Sequence, residues 1–430
     1  MKQQKISLLI AILININIVV GGAFFINAPL IAQKAGMLAP LAWFGVGLLL
    51  LPLVLVLSSL SGAFPVAGGL YVYSEKLLSP FWGFVSGWGY FIGTAAGNAL
   101  IFDAFGKLAT KLGFMRPLTE TFGLGNFGID LVLILIFSAL NLFNIEFLSK
   151  TQVIFTTLKT IPFFALLLGG IFLFNPTNFS AINSTDLTGF FNSIPIVLFA
   201  YIGIEACCAI GHVIDDARTN ASRAIMISFF LIVSTYALAQ LCIVAINGTS
   251  AIDAFTSILP RLTSNQWIIF YGNKLIELCI LSSFLGGFYS MFYANNWNLY
   301  AIAQEGAIHG AKPLAQLNRF QSPWVSLLFQ ALIIIGFLLL SRNIEILSTM
   351  SDFGIVIAYL LSGLAYLALP QKNNGKKWAI GGLALVGCGY LLIKCTNDLL
   401  EAGVKFFLPF LALLMIGVLS YLFKKQKLSD

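Results

Sequence analysis

Apolar residues along the 430-residue chain gather into runs as long as a membrane-spanning helix, separated by short polar connections. A spanning helix needs about 20 mostly apolar residues. On that measure the pattern predicts twelve helices, over 6–33, 40–61, 81–106, 128–146, 153–174, 188–211, 224–246, 273–303, 323–341, 346–369, 377–395 and 402–423. No connection is long enough for a soluble domain, so the chain reads as one all-α integral membrane bundle. The first run is too long for a signal-peptide core and has no clear small-x-small cleavage site, so it reads as a retained helix.

Two runs carry a flaw. Span 1 contains Asn17-Ile18-Val19-Val20-Gly21-Gly22-Ala23-Phe24-Phe25-Ile26-Asn27-Ala28-Pro29. Adjacent glycines followed by Asn and Pro oppose a continuous helix. Span 6 contains Phe199-Ala200-Tyr201-Ile202-Gly203-Ile204-Glu205, with a glycine and an acid at mid-span. The two spans are five apart. Interrupted segments at matching places in two halves point to an inverted-repeat transporter. The repeats would be 6–174 and 188–369, with 377–423 appended. The competing reading is glycine at tight helix crossings.

Composition narrows the class. Apolar residues make up 59% of the chain and charged residues only 10%, with a mean hydropathy of +0.92. This excludes a cytosolic enzyme, a nucleic-acid binder and a secreted disulfide scaffold. The net charge of +7 reads as topology. With both termini in the cytoplasm, fourteen of the 24 Lys and Arg fall on the inner side and eight on the outer. Lys159 and Lys274 lie inside spans. The bias favours inner termini. Lys107, Lys111 and Arg116 on the outer side weaken it, unless span 3 is long and runs past the membrane. Cys207, Cys208, Cys242, Cys279, Cys388 and Cys395 show no CxxC spacing and read as small buried hydrophobes. His212 and His309 are far apart. Neither a metal site nor a cofactor is expected.

A broken helix exposes N–H groups at the start of one half and carbonyls at the end of the other, and in hydrocarbon these need partners. N–H groups around Gly21, Gly22 and Ala23 suit a carboxylate. Carbonyls around Phe199, Ala200 and Ile202 suit an ammonium group. The two poles together fit a zwitterion, and so an α-amino acid or a close relative. Glu205 is costly at mid-span and could be a proton carrier, a cation partner or an acceptor tying span 6 to a neighbour. Lys159, in Thr156-Thr157-Leu158-Lys159-Thr160-Ile161-Pro162, could snorkel, or set its ammonium on backbone carbonyls in place of a sodium ion. Burial could also make it a proton carrier. Asn17 and Asn98 could each hold substrate or bond across helices. Phe288 could be a cavity wall or simple packing. Lys274 and Glu277, three apart, read as a local pair. Trp43, Trp82, Trp267, Trp324 and Trp378 read as the interfacial belt. Asp215, Asp216, Arg218 and Arg223 read as a solvated or gating inner loop. The sequons at Asn178, Asn183 and Asn247 carry little weight.

At these residues the chain resembles the amino acid–polyamine–organocation family of transporters through nearly its whole length. The carriers are Gly21-Gly22-Ala23-Phe24, then Phe64-Pro65-Val66-Ala67-Gly68-Gly69-Leu70-Tyr71-Val72-Tyr73 with Gly83-Phe84 and Gly87-Trp88. Lys159, Phe199–Glu205, Ala301-Ile302-Ala303-Gln304-Glu305-Gly306, Pro313 and Ser322-Pro323 complete the set. Within the family, Asn17, Gly97-Asn98, Ile202–Glu205 and Gly286-Gly287-Phe288 look most like the basic amino acid/polyamine antiporters of the arginine/agmatine type. The resemblance implies the LeuT-type five-plus-five fold and sodium-independent amino acid transport. It also implies carboxylate binding at Gly21–Ala23, amino-group binding at span 6 carbonyls, and gating by Glu205. The chain departs at Val20-Gly21-Gly22, which lacks the usual serine, and at Asp216-Ala217-Arg218-Thr219-Asn220 after span 6. Phe199 and Phe288 stand where those antiporters carry tryptophan, which weakens cation–π packing on a guanidinium. Lys159 is typical of other branches.

The expectation is an amino acid permease of the bacterial inner membrane, working by alternating access and most like an exchanger. The substrate-site set is Asn17, Gly21, Gly22, Ala23, Asn98, Phe199, Ala200, Ile202, Glu205 and Phe288, with Lys159 and Glu205 in coupling. The alternatives are a proton-coupled symporter of broader or neutral specificity, or a sensor that binds without transport. A membrane enzyme would need a His, Asp or Glu cluster at one interface, and the sequence offers none. Expected partners are an amino acid or amine, the bilayer and, as open options, protons and a second copy of the chain. Nucleic acid is not among them.

Overall fold

The computed structural model describes residues 5–66, 68–143, 145–179, 184–248, 254–308, 310–370 and 374–429. Lys2, Ala67, Asn183, His309 and Lys372 lie outside them. In chain order the helices are α1 (Leu8–Val19), α2 (Gly22–Ala35), α3 (Ala39–Ala63), α4 (Gly69–Leu77), α5 (Pro80–Lys111), α6 (Asn126–Leu140), α7 (Ile145–Phe172) and α8 (Ser184–Phe199). There follow α9 (Ala206–Ala209), α10 (Ala217–Asn247), α11 (Ile258–Leu262), α12 (Gln266–Gln304), α13 (Trp324–Leu340), α14 (Ile344–Ala368), α15 (Asn374–Ala402) and α16 (Val404–Ser429). Among the described residues there is no strand, only isolated bridges at Ile6–Ile214 and Leu317–Pro323. Among the described residues, seven helical stretches are long and apolar enough to cross a membrane, and four shorter apolar helices accompany them.

Several bounds differ from the sequence reading, most of them for a local reason. Span 3 is expected to stop at 106, but α5 continues to Lys111 because Lys107 pairs back to Asp103 one turn below, at 2.5 Å. At 32 residues it is about 48 Å long, well over the hydrocarbon core. This places Lys107 and Lys111 on a helix that outruns a bilayer. Span 8 is expected from 273, yet α12 begins at Gln266, where the Asn265 side chain accepts from the Trp267 and Ile268 N–H groups. Span 4 ends early, at Leu140, where the Asn141 side-chain amide donates to the Phe137 carbonyl. Span 5 starts earlier than expected, at Ile145, which sets Lys159 in mid-helix. Trp43 is not interfacial. It is fully buried among Phe24, Tyr201 and Tyr236 and donates to Gln240 at 2.8 Å. Trp82, Trp267, Trp324 and Trp378 are exposed.

The helices pack in two groups that position the site. α10 lies along α3, α1 and α2, and α8 lies along α2 and α3. α5 packs mainly against α14, and also against α12, α13 and α6. An ion cluster pins the second group. Asp103 of α5 and Asp130 of α6 are buried, and Arg342, between α13 and α14, reaches both at 2.5 Å. Removing the guanidinium leaves two buried carboxylates short of a counter-charge. Arg342→Ala is therefore expected to cost roughly 3 kcal/mol, read as a lower thermal midpoint of the purified protein in detergent.

Candidate functional site

Span 1 breaks where the glycines fall. α1 ends at Val19, Gly21 is extended, and α2 restarts at Gly22. The freed carbonyls are met by side chains from three other helices. Lys159 of α7 donates its ammonium to Asn17 O at 2.9 Å and Val20 O at 2.6 Å. Ser283 of α12 donates to Val20 O at 3.0 Å. Tyr236 of α10 donates to Val19 O at 2.7 Å, and its hydroxyl lies 3.4 Å from Ala200 O in span 6. Lys159 is buried, so it does not snorkel. On the other side of the break, the first N–H groups of α2 have no carbonyl in the preceding turn, and Gly21 caps them with no side chain.

Span 6 breaks in the same way. α8 ends at Phe199, and tight turns run to α9. Gly203 has φ +103°, the left-handed region, and an added Cβ would run into Ile18. Glu205 is buried and fully engaged. It accepts from Tyr90 of α5 at 2.9 Å, from Tyr359 of α14 at 2.5 Å and from the Gly203 N–H at 3.1 Å. Of the three roles open to it in the sequence, this geometry is that of an acceptor tying span 6 to its neighbours. Tyr359→Phe removes one donor from a buried carboxyl and is expected to cost about 1.5 kcal/mol. Thermal unfolding in detergent would read it, while substrate affinity should hold.

The two breaks face each other across a small cavity of about 20 Å³, room for one water. Gly21, Gly22, Ala23, Phe199 and Ile202 line it, joined by Ile18, Val19, Gly97, Ile101 and Met291. Five expected residues, Asn17, Asn98, Ala200, Glu205 and Phe288, do not line the cavity. The Ala200 carbonyl faces the Tyr236 hydroxyl instead. The Asn17 side chain lies against Gly286, and its backbone carbonyl serves Lys159. Asn98 is buried one residue from the lining Gly97. Phe288 packs on Phe102, Phe137 and Phe292. The Asn17 and Asn98 amides are buried without partners. Sequence reasoning missed Tyr236, Ser283, Tyr90 and Tyr359. Their signal was a lone hydroxyl in the middle of an apolar helix, too common to single out.

The leading half of span 1 and the trailing half of span 6 are bound together. Asn15 donates to Ile204 O at 3.0 Å and accepts from the Cys207 N–H at 3.1 Å. The Ile6 N–H donates to Val213 O, and the Asp215 N–H donates to Ile6 O. Lys274 and Glu277 form their local pair at 2.8 Å. The six cysteines are unpaired and buried. Among the described residues no group of three or more His, Cys, Asp or Glu is placed to hold a metal.

The family model for amino acid permeases matches residues 6–423, nearly the whole chain. The chain belongs to the amino acid permease family. The permease is 24% identical to the serine/threonine exchanger of Bacillus subtilis, over 88% of this chain and 86% of that one. It is 24% identical to an arginine/ornithine antiporter of Latilactobacillus sakei, over 91% and 87%. With a polyamine transporter of Arabidopsis thaliana it shares 21%, over 89% and 77%. These relatives are transporters, and the permease is an integral membrane transporter and not an enzyme.

Proposed function

We propose that the permease is a sodium-independent amino acid exchanger of the bacterial inner membrane, with both termini cytoplasmic. Its fold is read as twelve spans in a five-plus-five inverted repeat, the two broken spans being α1–α2 and α8–α9. Substrate binds as a zwitterion between the breaks, which must part to admit it because the cavity between them holds one water. Its carboxylate meets the N–H groups of Gly22 and Ala23, and its ammonium meets the Ile202 carbonyl. The group of α1, α2, α3, α8, α9 and α10 then rocks against the rest.

The observation that carries this reading is the lysine at the break. The Lys159 ammonium sits on two carbonyls at the end of α1, those of Asn17 and Val20, in the manner of a bound cation, so no sodium ion is needed there. The cavity lining supports a neutral substrate over a basic one. Its side chains are all uncharged, and Glu205 has three donors already. A guanidinium or polyamine would find only the Phe199 ring. A small uncharged side chain fits better, in line with the serine/threonine exchanger among the relatives.

The test is uptake of labelled amino acids into proteoliposomes, preloaded or empty, with and without an inward proton gradient. Uptake of small neutral amino acids only into preloaded vesicles is expected. Uptake into empty vesicles driven by the gradient would replace exchange with proton symport. Preference for arginine or a polyamine would overturn the neutral assignment. Binding without flux would make the protein a sensor.

A further inference from the structure

A groove of about 220 Å³ opens on the flank of the bundle between α7 and α10. Val20 and Lys159 lie at its floor, Phe163 and Phe164 on one wall, and Leu231 and Thr235 on the other. The Lys159 ammonium is turned inward to its two carbonyls, so the aliphatic stem meets the groove. The surface around the mouth is apolar and faces outward. Ile154, Phe164 and Ile171 are exposed on α7, and Phe230, Leu231 and Leu238 on α10.

We propose that this groove seats one acyl chain of a bilayer phospholipid, packed against Val20 and Lys159. The flank is continuous with surface that hydrocarbon covers when the chain spans a membrane. Water suits the groove poorly. The Thr160 hydroxyl is spent on the Thr157 carbonyl, so a groove with room for several waters offers them only the Thr156 and Thr235 hydroxyls among its side chains. A resident water needs about two to four partners. Leaving the groove empty forfeits dispersion contacts along both walls. Among the described residues that line the groove, Lys159 alone is charged and its ammonium is engaged, so recognition is of the chain. A flexible tail fills a concave slot, whereas the flat face of a second protein copy would bridge it. Seated there, the tail lies behind the end of α1 and keeps water from the bonds between Lys159 and the helix break.

The test uses the full chain in phosphatidylcholine vesicles with a tracer phospholipid carrying a diazirine midway along one acyl chain. After photolysis, adducts are mapped by peptide mass spectrometry. Labelling at Phe164, Leu231 and Thr235 is expected to exceed that at Leu332 and Leu339 roughly threefold or more. These two reference residues are exposed on α13. Thr235→Trp should fill the groove and remove the excess without changing Leu332. Leu231→Trp serves where that variant fails to fold. Equal labelling of the two faces would overturn the proposal, as would excess labelling that survives the filled groove. Cross-links between two copies at this face in place of lipid adducts would also sink it. The readout is labelling rather than flux, so it stands or falls apart from the exchange assignment.

Discussion

Gly22→Leu is expected to abolish substrate binding while leaving the bundle assembled. A Cβ at Gly22 would fall within the ring of Phe284, a buried residue of α12 packed on Phe105. The ring can leave only by displacing its neighbours, so the added side chain also spreads into the cavity between the breaks. Overpacking of this kind costs about 1–3 kcal/mol of stability. The larger effect falls on the N–H groups of Gly22 and Ala23, which the leucine covers. Affinity should drop by more than roughly a hundredfold, about 2.7 kcal/mol. Scintillation proximity binding of the best exchanged amino acid would read it, and normal binding would remove this site. Gly21→Ala is the milder comparison. Its Cβ lies 3.3 Å from the Ile18 carbonyl, tight but without a ring in the way.

Lys159→Ala is expected to stop exchange. The ammonium holds the Asn17 and Val20 carbonyls, and only Ser283 remains for Val20 once it is gone. Unmet buried carbonyls cost about 1–3 kcal/mol each. The arrangement that presents the α2 N–H groups then loses about 3 kcal/mol, a roughly hundredfold fall in its population. Exchange in proteoliposomes should fall by that order, and its pH dependence should change. An unchanged rate and pH profile would demote Lys159 to a packing lysine. Lys159→Arg is informative beside it. A planar fork cannot replace a compact ammonium at two carbonyls set for a point charge, so it should rescue poorly.

Both of these positions were legible in the sequence because each violates a strong local rule. Adjacent glycines in an apolar run and a lysine in mid-span are expensive unless something specific requires them. Gly203 was visible for the same reason, beside an acid five spans later. What the sequence left open was which way the side chains of an otherwise regular helix point. Asn17, Asn98 and Phe288 sit on the expected helices but turn toward Gly286, the protein interior and an aromatic cluster. Gly97, Ile101 and Met291 take the cavity wall instead. Trp43 shows the same limit from another side. A tryptophan near a span end looks interfacial until Gln240, some 200 residues on, proves to be its partner. Depth and partner are tertiary facts, and a hydropathy run carries neither. The span ends moved for local reasons that are readable in retrospect, in the Asn265 cap and the Asp103–Lys107 pair.

The backbone pairing of Ile6 with Val213 and Asp215 gives the experimenter a handle. With Asn15 bridging to Ile204 and Cys207, the leading residues and the segment past Gly203 are one mechanical piece. Any displacement of that segment must be carried to Lys5, which is exposed and not among the residues lining the cavity. A fluorophore placed at Lys5 and a second on an exposed residue of α13, such as Leu332, would form a ruler across the two helix groups. Its reading would follow the swing of the deeper, otherwise unreachable break in real time, with no probe in the path of the cargo.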